Sequence, residues 1–284
     1  MTFEKYLKKQ TKRALSLNKE PEAIKLLMLE LSGMNGANFL ASFKDEISEE
    51  LVEKYEKAID EYLINNYPVQ YILGYSYFYG YKMKVDERVL IPRRETEELV
   101  AHVLSMYDEM FEGHDVNICD IGTGSGNIII ALKAEENKFN AYASDISEEA
   151  LMVARVNAEN NNVDVKFLCG NMVDPLKDLG IKFDIVVSNP PYIPEDEFVE
   201  DIVKDNEPNI ALFGGVDGMF FYEEIFKNIK DLLKEKAFLA FEHSFSKKQA
   251  MIDLAKKHFP NAEIISIKDM QDKDRFTIVK INNR

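Results

Sequence analysis

Asn189-Pro190-Pro191-Tyr192 closes an apolar, strand-like run, Phe183-Asp-Ile-Val-Val187, and its residue types can grip a planar –NH2 group. Two successive prolines remove two backbone donors and fix φ, so the carbonyls beside them stay free to face a ligand. The Asn189 side-chain oxygen and the Pro190 carbonyl can each accept a hydrogen bond from an amino hydrogen, while the Tyr192 ring stacks on the flat group. Carboxamides and base amino groups both present this geometry. The plain alternative is a rigid surface turn, since Asn-Pro pairs often begin turns.

A second motif lies upstream. Ile118-Cys-Asp-Ile-Gly122-Thr123-Gly124-Ser125-Gly126 reads as a buried strand and a glycine-rich turn, and Asn127-Ile-Ile-Ile-Ala-Leu132 continues as a helix. The glycines permit a tight strand-to-helix turn and a close approach of backbone to ligand. Asp145 ends another strand-like run, 141–144, where an acidic side chain accepts hydrogen bonds from a ribose diol. Such a loop alone fits a dinucleotide equally well. Paired with Asn-Pro-Pro-Tyr on a later strand, it points to S-adenosylmethionine. The chain has no P-loop Gly-Lys-Ser/Thr, so phosphoryl transfer has no support.

Elements must bring these residues together. From residue 115 onward strand and helix patterns alternate, with strands expected near 116–121, 140–145, 164–169, 183–188, 236–242, 262–268 and 275–281. Ser147 is a candidate N-cap, and a long helix is expected over about 218–234. The alternation predicts an α/β fold: a Rossmann-like, seven-stranded, mostly parallel sheet with helices on both faces. The last two strands have no helix between them, so they should pair as an antiparallel hairpin at the sheet edge. Ligands of such sheets bind beyond the carboxyl ends of the strands. That rule puts the 122–126 loop, Asp145 and Asn189-Pro-Pro-Tyr192 on one rim.

Residues 1–72 read as a small helical domain assigned to substrate recognition. Pro21 opens a helix with Ile24, Leu27, Met28 and Leu31 on one face, and another begins near Ser48 with Leu51, Tyr55, Ile59, Tyr62 and Leu63 in register. Residues 73–92 form a β-hairpin linker around Gly80, and 93–284 form the main domain. Tyr71, Tyr75, Tyr77, Tyr79 and Tyr81 offer either a ligand-stacking surface or, more commonly, cross-strand packing. The acidic stretch 194–207 reads equally as a mobile flap over the site and as an inert surface loop.

The chain's 284 residues suffice for one large domain and a smaller one. A formal net charge of −15 argues against tight nucleic-acid binding, which relies on Lys and Arg neutralising phosphates. Lys5, Lys8, Lys9, Lys12, Arg13 and Lys19 form a local basic exception; a solvated helix face is the preferred reading and a partner-docking face the other. Cys119 and Cys169 both fall on strands expected to be buried, which suits reduced thiols in a cytoplasmic protein. No Cys/His cluster has metal-ligand spacing, so no metal is expected. Neither a signal-peptide apolar region nor a run of membrane-spanning length is present, so a soluble protein with no membrane partner is expected, a monomer by default.

Further segments carry a resemblance. Pro68-Val-Gln-Tyr-Ile-Leu-Gly74, Leu90-Ile-Pro-Arg-Arg-Glu-Thr-Glu97, Glu207-Pro208, Ala211-Leu212, Gly214-Gly215 and Asp217-Gly218 join the two motifs, and nearly the whole chain resembles the release-factor glutamine methyltransferases. The resemblance implies a methyltransferase fold with S-adenosyl-L-methionine as methyl donor. The acceptor it implies is the side-chain amide nitrogen of a glutamine, in the glycine-glycine-glutamine loop of peptide chain release factors, supporting translation termination. It makes Gly122, Thr123, Gly124, Ser125 and Gly126 the loop around the cofactor's methionine, Asp145 the ribose acceptor, and Met172 a neighbour of the adenine. Asn189, Pro190, Pro191 and Tyr192 become the substrate-amide grip, with Asn189 and Pro190 catalytic and Asn189 also bordering the cofactor. Three departures stand out: Asn171 replaces an acidic residue near the adenine, Arg94 replaces a proline, and Glu242-His-Ser-Phe-Ser-Lys-Lys-Gln249 loosens a Glu-x-Gly-x-x-x-Gln segment. The alternatives are glutamine methylation on a ribosomal protein, N6-adenine methylation of a nucleic acid, and a non-catalytic binding protein with a vestigial nucleotide fold.

Overall fold

A computed structural model describes residues 1–282. Two compact units emerge, one made of Met1–Tyr75 and Val199–Asn206, the other of Ser76–Phe198 and the residues from Glu207 onward.

The first unit is helical: α1 (Phe3–Ser16), α2 (Pro21–Ser32), α3 (Gly36–Ala41), α4 (Glu49–Leu63) and α5 (Val69–Leu73). Its boundaries follow from capping chemistry. Thr2, Asn35 and Ser48 each accept a backbone N–H from the first turn of α1, α3 and α4, and left-handed Gly33 and Gly74 end α2 and α5. Phe3, Tyr6, Ile24, Leu27, Met28, Phe39, Tyr55 and Ile59 form its core.

The second unit starts with a two-stranded sheet, β1 (Tyr75–Phe78) and β2 (Tyr81–Lys84), turned at Gly80, whose φ is 82°. Then come α6 (Arg94–Phe111), β3 (Val116–Ile121), α7 (Asn127–Glu135), β4 (Phe139–Asp145), α8 (Glu148–Asn160), β5 (Val165–Cys169), α9 (Asp174–Lys177) and β6 (Phe183–Ser188). After α10 (Asp201–Lys204), which belongs to the first unit, the remainder comprises α11 (Phe220–Asn228), β7 (Leu233–Glu242), α12 (Lys248–His258), β8 (Glu263–Lys268) and β9 (Asp274–Asn282). β3 to β9 form one seven-stranded sheet in the order β5-β4-β3-β6-β7-β9-β8. The pairs from β5 to β7 are parallel, and β9 pairs antiparallel with both β7 and β8. The expected edge hairpin is therefore present, with β9 on its inner side.

Alternation along the strands feeds two cores. Ile118, Ile185, Val187, Phe238 and Ala240 pack with residues of α6 and α7 on one face, and Cys119, Ile121, Val186, Leu239 and Phe241 pack with α11 and α12 on the other.

Three expectations need correction. The long helix over 218–234 is short: α11 stops at Asn228 and β7 starts at Leu233, because Leu232 and Leu233 are buried in succession and Leu233 pairs with Phe183 of β6. Cys169 is exposed while Cys119 is buried; β5 is an edge strand without a fully buried residue. Within 194–207 the inert-loop reading fails at residues 199–206, which belong to the helical unit. Ile202 of α10 packs on the helical unit's core, and the Asn206 amide donates to the Asn66 carbonyl at 3.0 Å.

Candidate active site

The strand order reverses between β3 and β6, and the chain's glycine loop and its Asn-Pro-Pro-Tyr segment leave the carboxyl ends of those two strands. This is the switch point at which open α/β sheets bind ligands. Ser188 ties the ends together, its hydroxyl donating to the Ile121 carbonyl at 2.6 Å.

The glycine loop turns through left-handed backbone at Gly122 (φ 74°) and Gly124 (φ 54°), and a Cβ built on either would meet nothing within 4 Å. The turn explains the residue type, and the open space beside it is where a ligand can approach. Asp145 bolts the loop to β4: its Oδ2 accepts the Gly124 N–H at 2.8 Å and its Oδ1 the Ser147 N–H at 2.9 Å. Burial pushes its pKa up, against the pull of those backbone donors. Met172 holds a left-handed conformation (φ 48°), and its carbonyl accepts the Ser144 hydroxyl at 2.8 Å.

One cavity gathers most of these residues. Gly122, Thr123, Gly124, Ser125, Asp145, Met172, Asn189, Pro190 and Pro191 line it, and Asn171 stands beside Met172. Further wall comes from Pro92, Arg93 and Thr96 on one side and Pro208, Ile210 and Ala211 on another. A roomier groove of about 630 Å³, lined by Lys182, Lys230, Lys234 and His258, lies by the amino ends of β6 and β7 and holds none of the motif residues.

Two sequence-derived positions lie outside the cavity wall. Gly126 is the N-terminal cap of α7 at φ 80°, where a Cβ would stand 2.8 Å from Ile130 Cδ1 and 3.2 Å from Ala154 Cβ. The absence of a Cβ there lets α7 pack close against α8. Tyr192 packs on the α11–α12 side of the sheet and its hydroxyl donates to Glu242 Oε1 at 3.4 Å, so in this structure its ring is not offered to the cavity as a stacking face. The tyrosines of the 71–81 stretch are also outside it; Tyr79 and Tyr81 pack against the sheet unit's core, as cross-strand packing implies.

Asn189 is only half matched in its hydrogen bonding. Its Nδ2 donates to Thr96 Oγ1 at 3.1 Å, while its buried Oδ1 has no hydrogen-bond partner among the described residues. A buried acceptor left unmatched is costly and rare, and it is the group needed to receive an N–H. Its loop is held from behind by two glycines. A Cβ on Gly214 would sit 2.4 Å from the Pro191 carbonyl oxygen, and one on Gly218 would sit 2.2 Å from that of Tyr192. Ile193 N–H donates to the Leu212 carbonyl at 3.0 Å, and Gly214 N–H to the Ile193 carbonyl at 2.8 Å. Glu207 joins the two outer walls, accepting from Ile91 N–H at 2.9 Å and pairing with Arg93 at 2.6 Å. Thr96, Glu207, Gly214 and Gly218 all sit inside the segments quoted for the resemblance, which marked them without showing what they do.

Residues 98–207 match the family described as Methyltransferase small domain, and residues 6–74 match the PrmC N-terminal domain. A release factor glutamine methyltransferase of Bacillus subtilis (strain 168) is 40% identical over 260 residues, 90% of this chain and 90% of the relative. This chain belongs to the release factor glutamine methyltransferase family. Another member, from Bacillus cereus, is 35% identical over 265 residues, covering 93% of each chain. Among solved structures, the hMettl16 catalytic domain in complex with MAT2A 3′UTR hairpin 6 has a TM-score of 0.54 at 13% identity, covering 84% of this chain and 83% of that one. That likeness shows the methyltransferase fold and nothing about the substrate. Among the described residues no group of His, Cys, Asp and Glu is arranged to hold a metal ion, and no helix is long and apolar enough to cross a membrane.

Proposed function

We propose that this chain methylates the side-chain amide nitrogen of a glutamine in peptide chain release factors, in a glycine-glycine-glutamine loop, with S-adenosyl-L-methionine as donor and the cytoplasm as its place of work. The observation that carries the reading is Asn189, a residue that lines the glycine-loop cavity: its amide donor is held by Thr96 and its buried oxygen is left as an unmatched acceptor. The open space over Gly122 and Gly124 fits a ligand laid against the backbone, and Asp145 and Met172 line the same cavity for ribose and adenine. When bound, S-adenosylmethionine supplies an electrophilic sulfonium methyl group.

An amide nitrogen is a poor nucleophile because its lone pair is delocalised into the carbonyl. Asn189 Oδ1 and the Pro190 carbonyl, accepting from the –NH2, favour electron density on nitrogen as positive charge develops there. Preplaced dipoles of this kind contribute about 3–4 kcal/mol each. Alignment of the reacting groups contributes more, on the order of 7–11 kcal/mol, so holding the amide still matters at least as much as polarising it. The helical domain, 1–72, is the part we assign to recognising the release factor, with 73–92 as linker and 93–284 as the catalytic domain.

The test is methyl transfer from labelled S-adenosylmethionine, offered a release factor, its variant with the target glutamine replaced by alanine, a ribosomal-protein mixture, DNA and RNA. Label on the wild-type factor alone is expected. Label on a ribosomal protein would move the partner, and label on nucleic acid would move the substrate to a base amino group.

A further inference from the structure

Asn157 is wholly buried on α8 and lies outside the cavity wall, yet both polar atoms of its side chain are in use. Its Nδ2 donates to the Ser125 carbonyl at 2.9 Å and to the Lys84 carbonyl at 3.0 Å, and its Oδ1 accepts the Lys84 N–H at 2.6 Å. A carbonyl can only accept, so the network settles which end of the amide faces which partner. Towards Lys84 the side chain imitates a neighbouring strand, exchanging both bonds with one residue of β2. Towards Ser125 it meets the carbonyl of a buried residue in the glycine loop, a group that must find a donor inside the protein. Asn161, one turn further along α8, holds the same hairpin, its Nδ2 donating to the Lys82 carbonyl at 3.2 Å and to the Asn157 carbonyl at 2.8 Å. Among the described residues none of its bonds reaches the glycine loop.

Two walls of the cavity are therefore tied to one side chain. The glycine loop is held at Gly124 by Asp145 from β4 and at Ser125 by Asn157 from α8. From Lys84 the chain runs through buried Val85 to Asp86, whose carboxylate accepts from Arg88 at 2.7 and 2.6 Å. The second wall begins there, with Arg88, Val89, Leu90, Pro92 and Arg93, and ends at Thr96, which holds Asn189. Resting on the donor named above but not on the acceptor, we propose that Asn157 is a positioning residue for S-adenosylmethionine. From outside the cavity it sets the spacing between the glycine loop and the 88–93 wall, so that the gap has its width before the cofactor arrives. Preorganisation of this kind lowers the cost of binding. Loss of Asn157 weakens the hold on the cofactor and leaves the amide grip at Asn189 in place once the cofactor is bound.

The test compares wild type, Asn157→Ala, Asn157→Ser and Asn161→Ala. Titration calorimetry with S-adenosylmethionine gives Kd, and hydrogen exchange of the cofactor-free protein reports on the 122–126 amides, with thermal melting and steady-state kinetics alongside. Asn157→Ala should raise Kd and the cofactor KM about tenfold, the weight of one buried hydrogen bond. Its kcat at saturation should stay within a few-fold of wild type, and its glycine loop should exchange faster. Asn161→Ala should melt lower but keep the wild-type Kd and loop exchange, because it frees the hairpin alone. Wild-type Kd and loop exchange in Asn157→Ala would overturn the inference. So would an equal rise of Kd in Asn161→Ala, which would trace the effect to general loosening. Should Asn157→Ala melt before assay, Asn157→Ser decides by the same two measures, since one hydroxyl proton cannot serve two carbonyls. Calorimetry needs no methyl acceptor, so a different acceptor leaves this result standing; a wild type that binds no S-adenosylmethionine overturns the donor and the inference together.

Discussion

At the scale of single residues, an asparagine side chain has a donor end and an acceptor end, and in Asn189 only the donor end is matched. Asn189→Ala should therefore lower kcat by about 10²–10³, the usual cost of losing a preplaced electrostatic partner, with cofactor affinity within a few-fold of wild type. Titration calorimetry with S-adenosylmethionine checks the second half, and an equal collapse of binding would make Asn189 a cofactor residue and no grip. The contiguous parts of the site could be read from the chain because turn chemistry is local: three glycines in five positions, or two prolines after an asparagine, state their geometry by themselves. Thr96 and Glu242 could not be read this way. They lie 93 residues before Asn189 and 50 residues after Tyr192, and only packing α6 and β7 against β6's end brings them there. The placement of the Tyr192 ring, with its hydroxyl on Glu242, was hidden from the local reading for the same reason.

At the scale of elements, the site is a loop pressed between glycines. Gly218→Ala would push a methyl group into the Tyr192 carbonyl, and its φ of 74° adds backbone strain. The variant should fold less stably by about 2 kcal/mol or more and lose activity further than that loss of stability explains, as Asn189 moves with the loop. Urea denaturation and kcat on the same preparation separate the two effects. Gly126→Ala is the contrasting case: strain and the approach to Ile130 and Ala154 should lower stability by about the same amount, while kcat per folded molecule should hold, because Gly126 lies outside the cavity wall. The parallel sheet and its terminal hairpin were legible from alternation and from the short 268–274 connection; the strand order was not, because it depends on which strands pair across the sheet. The end of α11 was not, since two buried leucines in a row fit a helix and a strand alike. The exposure of Cys169 depends on β5 being an edge, which no window of sequence reports.

At the scale of the whole molecule, two buried carboxyls set a pH dependence. Burial raises Asp120 and Glu242 to about 7 from 3.8 and 4.5, so between those limits the fold keeps protons that the unfolded chain has released. Their contribution to stability is intact below about pH 4 and declines as the pH rises towards 7. Asp120→Asn and Glu242→Gln should therefore gain on wild type in denaturation midpoint between pH 5 and pH 8; parallel profiles would show that neither group is perturbed. The two-unit plan was visible in the change from helical to alternating patterns at about residue 72, but the return of 199–206 to the helical unit was not, because acidic composition describes a surface and not its neighbour. That return bears on heredity. A gene cut after the codon for Tyr75 would divide the chain almost where its two matched families part, yet the shorter polypeptide would lack Ile202 on its core and the Asn206 amide on Asn66. Recombination cannot move this head between relatives as a single cassette; the eight codons for 199–206 must travel with it.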